Sequence, residues 1–349
     1  MAALGLRIGK TLILETSGAQ NAICISPALR LRSRLPNRPR LPPEQPADPA
    51  GGSPPMIDYD RLKQQFSAAQ QTWAAADPFP YCTFEGFLAL PRAQQIADDF
   101  PAVMAKISKP LKRHHDVEQK RGVPDLSLMS ETQQQFFDQI LGPEFIAFLE
   151  QLTGISPLYP DPDLAGGGLH EIYTGGFLNT HADFNFHPKT GKHRCLNLIL
   201  YLNADWQEDW HGQLELWSEN LDGEPVRVAP TLNTAALFRT TETSWHGHPK
   251  PLACPEHVSR RSLAVYYYTD WPEGLEQRAK TTYVLTPDQQ QDLRQDLLAG
   301  WDQIADADAA CRLARRYQPR HVRQTYEALL AEKASTAGSA AASDTDQPG

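Results

Sequence analysis

Two imidazoles and one carboxylate can hold a divalent iron on one face and leave its other positions open. The chain offers that set as His181-Ala182-Asp183 with a distal histidine, His246, followed by Arg260-Arg261-Ser262. On an extended strand, residues i and i+2 share a face, so His181 and Asp183 could approach one ion. The set contains no cysteine, which argues against a structural zinc and suits a redox-active iron. Such an iron activates oxygen, provided that the chain places these residues on strands that converge.

A His-x-acid pair says little alone. With 11 His and 42 acidic residues among 349, chance supplies about one. His114-His115-Asp116 has the same spacing inside KRHHDVEQKR. That run is charged throughout and leads into no strand pattern, so it reads as a solvated segment. His181 and Asp183 stand instead between EIYTGGFLNT, a strand with a glycine-permitted bend, and HRCLNLILYLN, a second strand. The third ligand comes from TETSWHGHPKPL. His246 follows Trp245 and an apolar block and is the favoured ligand. His248, beside Pro249, is the alternative and is expected in the turn. His187 and His193 read as loop or supporting histidines.

An iron with three protein ligands needs a reductant to activate oxygen. 2-Oxoglutarate could supply two electrons by decarboxylation and chelate through its keto-acid end. Its far carboxylate then needs a fixed cation, and arginine's planar fork suits it. Arg260 opens RRSLAVYYYTD and shares a face with Ser262 and Ala264. Arg261 faces the other way, toward solvent. Tyr201 lies on a face with Asn197 and Ile199 and could reach the same pocket, or could be a core tyrosine with another partner.

The positioning elements follow from texture. Residues 57–75, 91–100 and 130–153 show helical spacing, with Pro91 and Ser130 as start signals. From Leu169 to Tyr268 the apolar residues alternate or run in short Val-, Ile-, Leu- and Tyr-rich blocks divided by Gly and Pro. After Thr286-Pro287 the helical pattern returns through about Glu332. The fold class expected is therefore α+β with a mainly β core, about 165–285, flanked by N- and C-terminal helices within one catalytic domain, 56–333. Residues 1–55 are rich in Arg, Pro and Ser and poor in acid. They read as a disordered extension, either upstream of a true start at Met56 or a targeting segment. Residues 334–349 read as a disordered tail.

The whole chain carries a formal charge of -9, with 21% charged and 41% hydrophobic residues. That composition fits a soluble protein and argues against a nucleic-acid or anionic-membrane partner. No apolar run approaches the roughly 20 residues of a membrane span. Five scattered cysteines without a CxxC pair suggest reduced thiols and a cytoplasmic protein. Oligomeric state is not legible.

Taken together, EIYTGGFLNTHAD, RCLNLILYLNADW, GQLELW, ALFRTTETSWHGH and RRSLAVYYYTD resemble the Fe(II)/2-oxoglutarate-dependent dioxygenase superfamily, in its prolyl-hydroxylase-like branch. They follow the family's order over roughly 165–270. The resemblance implies a double-stranded β-helix, or jelly roll. It implies His181, Asp183 and His246 on Fe(II), and Arg260, with Ser262, Tyr201 and Tyr173, on 2-oxoglutarate. O2 is then the co-substrate and ascorbate an accessory reductant. The loop PKPLACPEHVS is longer than usual in the family, and Tyr173 stands closer to His181 than is common. Asp183 is intact, which excludes the halogenating relatives. The expected reaction is C–H hydroxylation of a small-molecule or peptide substrate, a peptidyl proline first, selected by the N-terminal helices and the loop 184–193. The rival class is a cupin-like isomerase or small-molecule binding module on the same barrel, which needs no Arg260.

Overall fold

A computed structural model describes residues 55–107 and 120–343, with side chains through residue 336. The extension before residue 55 and the His114-His115-Asp116 run lie outside the described residues. In chain order the helices and strands are α1 (Tyr59–Ala75), β1 (Tyr81–Glu85), α2 (Leu90–Met104), β2 (Arg121–Val123), α3 (Glu131–Ile140), α4 (Pro143–Thr153), β3 (Tyr159–Pro160), β4 (Gly168–Tyr173), β5 (Leu178–Ala182) and β6 (His193–Tyr201). They continue as β7 (Leu214–Leu216), β8 (Val226–Val228), β9 (Thr234–Arg239), β10 (His246–His248), β11 (Ser259–Thr269), β12 (Thr282–Tyr283), α5 (Pro287–Ala299), α6 (Ala307–Leu313) and α7 (Pro319–Ser343).

The strands form two antiparallel sheets. The larger runs β1-β9-β6-β11-β4-β2, with β3 paired to one end of β11, and the smaller runs β12-β5-β10-β7-β8. One cavity is lined from both sheets, and the fold is a double-stranded β-helix wrapped by helices. Alternation along the strands sets what each face does. On β6, Leu196, Leu198 and Leu200 pack into the main apolar core with the helices, while Asn197, Ile199 and Tyr201 face the cavity. On β11, Leu263, Val265 and Tyr267 pack outward, and Arg260, Ser262, Ala264 and Tyr266 face inward.

Helices α1 to α4 cover the outer face of the larger sheet through residues such as Leu62, Phe100, Phe137 and Phe145. The expected helix over 130–153 is broken in two, because Gly142 caps α4 and Pro143 takes its first turn. α3 starts on a capping box between Ser130 and Gln133, and α5 on one between Thr286 and Gln289. β1 and β2 lie ahead of the expected β zone. β1 alternates Cys82 and Phe84 into the core and extends the sheet along β9. α5 to α7 enclose a separate apolar cluster around Leu293, Leu297, Ala310 and Val322. α7 continues past Glu332 to Ser343, into the stretch expected as tail, where alanines favour helix. Among the described residues no helix is long and apolar enough to cross a membrane.

Candidate active site

β5 and β10 are neighbours, and His246 stands directly opposite His181 in their antiparallel register. Asp183 follows the end of β5 on the His181 face. Gly247 makes this approach feasible: a Cβ there would lie 2.8 Å from the Leu178 carbonyl oxygen and 2.9 Å from that of Asn179. His181 Nε2 is 3.6 Å from Asp183 Oδ1, and His246 Nε2 is 3.4 Å from Asp183 Oδ2. The three side chains offer ligand atoms within 4.8 Å of one another.

The two imidazoles hold the same tautomer. His181 Nδ1 lies 2.8 Å from the Asn179 carbonyl, and His246 Nδ1 lies 2.9 Å from that of Ser244. A carbonyl only accepts, so each Nδ1 carries the proton and each Nε2 presents its lone pair inward, as a metal requires. Burial, with His246 beside it, lowers the pKa of His181 and keeps that lone pair available. Burial pushes the Asp183 carboxyl up. The Arg194 guanidinium and the two histidines outweigh it and hold the carboxyl well below its usual range.

His248 also faces the cavity from β10, but it does not join the His181, Asp183 and His246 group. It is buried, as a turn residue would not be, and neither ring nitrogen has a hydrogen-bond partner among the described residues.

Arg260 enters the same cavity, of about 230 Å³, from β11. It is buried, donates from Nε to the Gly212 carbonyl at 2.7 Å, and lies with its guanidinium 4.9 Å from the centre of the Tyr201 ring. Gly212 has φ +78°, and a Cβ there would meet Leu252 at 2.6 Å and Arg260 Cδ at 3.0 Å. Ser262 shares the inward face, and the buried Tyr201 hydroxyl, beside Arg260, makes no hydrogen bond of good geometry among the described residues.

Two further sequence expectations fail. Tyr173 does not reach the cavity: on β4, His170 and Ile172 line it, and Tyr173, one residue out of phase, is 41% exposed. Arg261 does not point into solvent. It is half-buried, donates to the Ala97 carbonyl of α2 and pairs with the buried Glu171 at 3.5 Å.

Arg194 and Asn197 emerge as site residues that sequence reasoning did not assign. Arg194 Nη2 lies 2.9 Å from Asp183 Oδ2. Asn197 bridges the pair, accepting from Arg194 Nε at 3.0 Å and donating to Asp183 Oδ2 at 2.9 Å. The Arg194 guanidinium stacks 3.4 Å from the centre of the Tyr266 ring. Strict alternation from Asn197 would turn Arg194 outward. The pairing of β6 with β11 slips at Cys195, so that Tyr267 opposes Leu196 and Tyr268 opposes Arg194. This bulge swings Arg194 inward. Arg278 was also missed. It donates to the Asp183 carbonyl at 2.6 Å and pairs with Glu242 at 2.8 Å, strapping the 183–187 and 240–244 loops together.

A second cluster, Asp161, Asp163 and His187, has metal-like composition, but its proton arrangement is wrong. His187 Nδ1 accepts from the backbone of Lys189 and Thr190, at 3.1 and 3.3 Å. Its Nε2 therefore carries the proton and donates to Asp161 at 3.1 Å, leaving no lone pair for an ion. His193 donates from Nδ1 to the Asn185 carbonyl at 3.1 Å and lies outside both groups.

Residues 167–268 match the family described as the 2OG-Fe(II) oxygenase superfamily. This span holds the inner strands and every one of the residues His181, Asp183, Arg194, Tyr201, His246 and Arg260. The chain thus carries a domain of the 2-oxoglutarate-Fe(II) oxygenase superfamily, and the family implies Fe(II), 2-oxoglutarate and O2. Similar solved structures include a Pseudomonas putida prolyl-4-hydroxylase, with 17% identity, TM-score 0.44, and coverage of 59% of this chain and 100% of the other. Another is a Trichoplax adhaerens prolyl hydroxylase in complex with a hypoxia inducible factor peptide, with 13% identity, TM-score 0.43, and coverage of 60% and 93%. A prolyl 4-hydroxylase from Phytophthora capsici has 19% identity, TM-score 0.40, and covers 81% of each chain. No curated protein sequence matches this chain.

Proposed function

We propose that the protein is an Fe(II)- and 2-oxoglutarate-dependent dioxygenase that hydroxylates a C–H bond and releases succinate and CO2. The observation that carries this reading is the placement of two kinds of group in one cavity. One is a facial His181, Asp183 and His246 set with both Nε2 lone pairs turned inward. The other is the buried cation Arg260, beside a buried Tyr201 hydroxyl that makes no hydrogen bond of good geometry among the described residues. A buried hydroxyl and a buried arginine side by side are what a ligand carboxylate satisfies.

When bound, iron and 2-oxoglutarate supply the oxidising chemistry. The chain holds and orients them. His181, Asp183 and His246 would ligate the metal. Arg260, with Ser262 and Tyr201, would receive the far carboxylate. Arg194 and Asn197 hold Asp183 in place, and the Arg278 strap holds its backbone. Ascorbate is expected as an accessory reductant. The substrate we infer is a peptide or amino acid, a prolyl residue first, on the resemblance of the strand motifs, and we infer a cytoplasmic location from the scattered free thiols.

The test is anaerobic titration with Fe(II) and 2-oxoglutarate. The wild type should develop a visible charge-transfer band. His181→Ala and Asp183→Ala should abolish it, and Arg260→Ala should weaken 2-oxoglutarate binding by about 10-fold or more. Bands unchanged in the first two variants would remove the metal assignment, and an unchanged affinity in the third would favour a binding module. Succinate release across a substrate panel, with mass spectrometry for one added oxygen, identifies the reaction.

A further inference from the structure

We propose that His248 reads the distal carboxylate of the 2-oxo acid, acting beside Arg260 and Tyr201 as a residue that selects a dicarboxylic over a monocarboxylic cosubstrate. The inference rests on the functional reading above and adds a binding residue to it.

His248 is two residues beyond His246 on the same short strand, and both turn inward. Their roles are separated by what their nitrogens meet. His246 has its Nδ1 committed to the Ser244 carbonyl, as His181 has to Asn179. His187, elsewhere in the barrel, has both nitrogens engaged. His248 is 4% exposed, and both of its ring nitrogens are unpartnered among the described residues. A neutral imidazole always has one N–H to donate, and buried donors are ordinarily paired. An acceptor that enters the cavity would supply the missing partner.

The surroundings say which acceptor. Arg260, Tyr201, Ser262 and Lys120 line the same cavity as His248. The Tyr201 hydroxyl is likewise buried, beside Arg260, with no hydrogen bond of good geometry among the described residues. Arg260 is pinned from behind by the Gly212 carbonyl, which fixes where its charge sits. Donors and cations therefore converge in this cavity, and Asp183, the acid among its lining residues, is already taken by Arg194 and Asn197. A carboxylate oxygen meets the donor from His248 and the charge from Arg260 at once. His248 is outside the group that could hold the metal, so the keto-acid end of the same ligand does not depend on it.

The experiment compares 2-oxoglutarate with 2-oxopentanoate, which has the same five-carbon 2-oxo acid frame but ends in a methyl group. Equilibrium binding to the full-length Fe(II) protein is measured anaerobically for the wild type, His248→Leu and His248→Gln. His248→Leu should weaken 2-oxoglutarate by roughly 10-fold or more, as loss of a charge-assisted hydrogen bond does. It should leave 2-oxopentanoate within about twofold, and His248→Gln should recover much of the loss because it restores a donor. Equal weakening of both acids, or of neither, overturns the role of His248. Unaltered 2-oxopentanoate binding also shows that the variant is folded and metal-loaded. A wild type that binds both acids alike, or neither, overturns the functional reading itself, and this inference with it.

Discussion

At the residue scale, the site depends on one nearly buried carboxylate with two claims on it. Asp183 faces the two histidine nitrogens on one side and Arg194 with Asn197 on the other. Removing the arginine strands a buried anion, which is far costlier than removing the pair. Arg194→Leu should therefore destabilise the metal-free protein by about 3–5 kcal/mol in chemical denaturation. Adding Asp183→Asn to that variant should recover a good part of the loss, although it removes a proposed ligand. If the double variant is no more stable than the single, the Arg194–Asp183 pair is not what stabilises this corner. The residue types of the site were largely readable from the chain. Asp183 with His181, a distal histidine and Arg260 with Ser262 are recognisable by chemistry and spacing. Arg194 was not, since an arginine at a strand start is ordinarily a surface residue.

At the element scale, the closeness of β5 and β10 decides whether two histidines from distant parts of the chain act together. Gly247 sets that distance through its lack of a Cβ, with two backbone oxygens under 3 Å from where one would stand. Backbone oxygens cannot rotate away as a flexible side chain can. Gly247→Ala should cost about 1–3 kcal/mol as an overpacking change. It should also lower metal affinity by separating His181 from His246, measured by Fe(II) or Co(II) titration. A variant with wild-type metal affinity would mean that the strands can part without loss. Alternation told the inward from the outward residues on β6 and β11 correctly over most of their length. It failed at Cys195, where a bulge resets the phase. Tyr173, which the resemblance placed on the cosubstrate, is excluded by that same alternation on β4, where His170 and Ile172 face inward.

At the scale of the whole molecule, a polar cavity is enclosed by a shell of apolar packing, and the shell makes the cavity sensitive to acid. Burial, reinforced by the positive charges of Lys120 and Arg260, lowers the pKa of His170 to about 3. In the unfolded chain it is near 6.5, so below that pH the unfolded state takes up a proton that the folded state refuses. The stability tied to neutral His170 is thus present above about pH 6.5 and lost as pH falls toward about 3. His170→Gln should flatten the stability curve of the metal-free protein over that interval. An unchanged pH dependence in thermal unfolding would mean that other groups govern it.

By itself the sequence determined the β core between helical flanks, the inward faces of its long strands and the chemical set of two imidazoles, a carboxylate and an arginine. These follow from side-chain type and from periods of two and 3.6 residues, both local properties. Tertiary structure decided that His246 rather than His248 opposes His181, that Tyr173 stays outside, that Arg194 turns inward and that Arg278 straps the loops. The first three depend on register between strands, where a slip of one residue reverses every side chain, and the Arg278 strap depends on loops that only the folded barrel brings together.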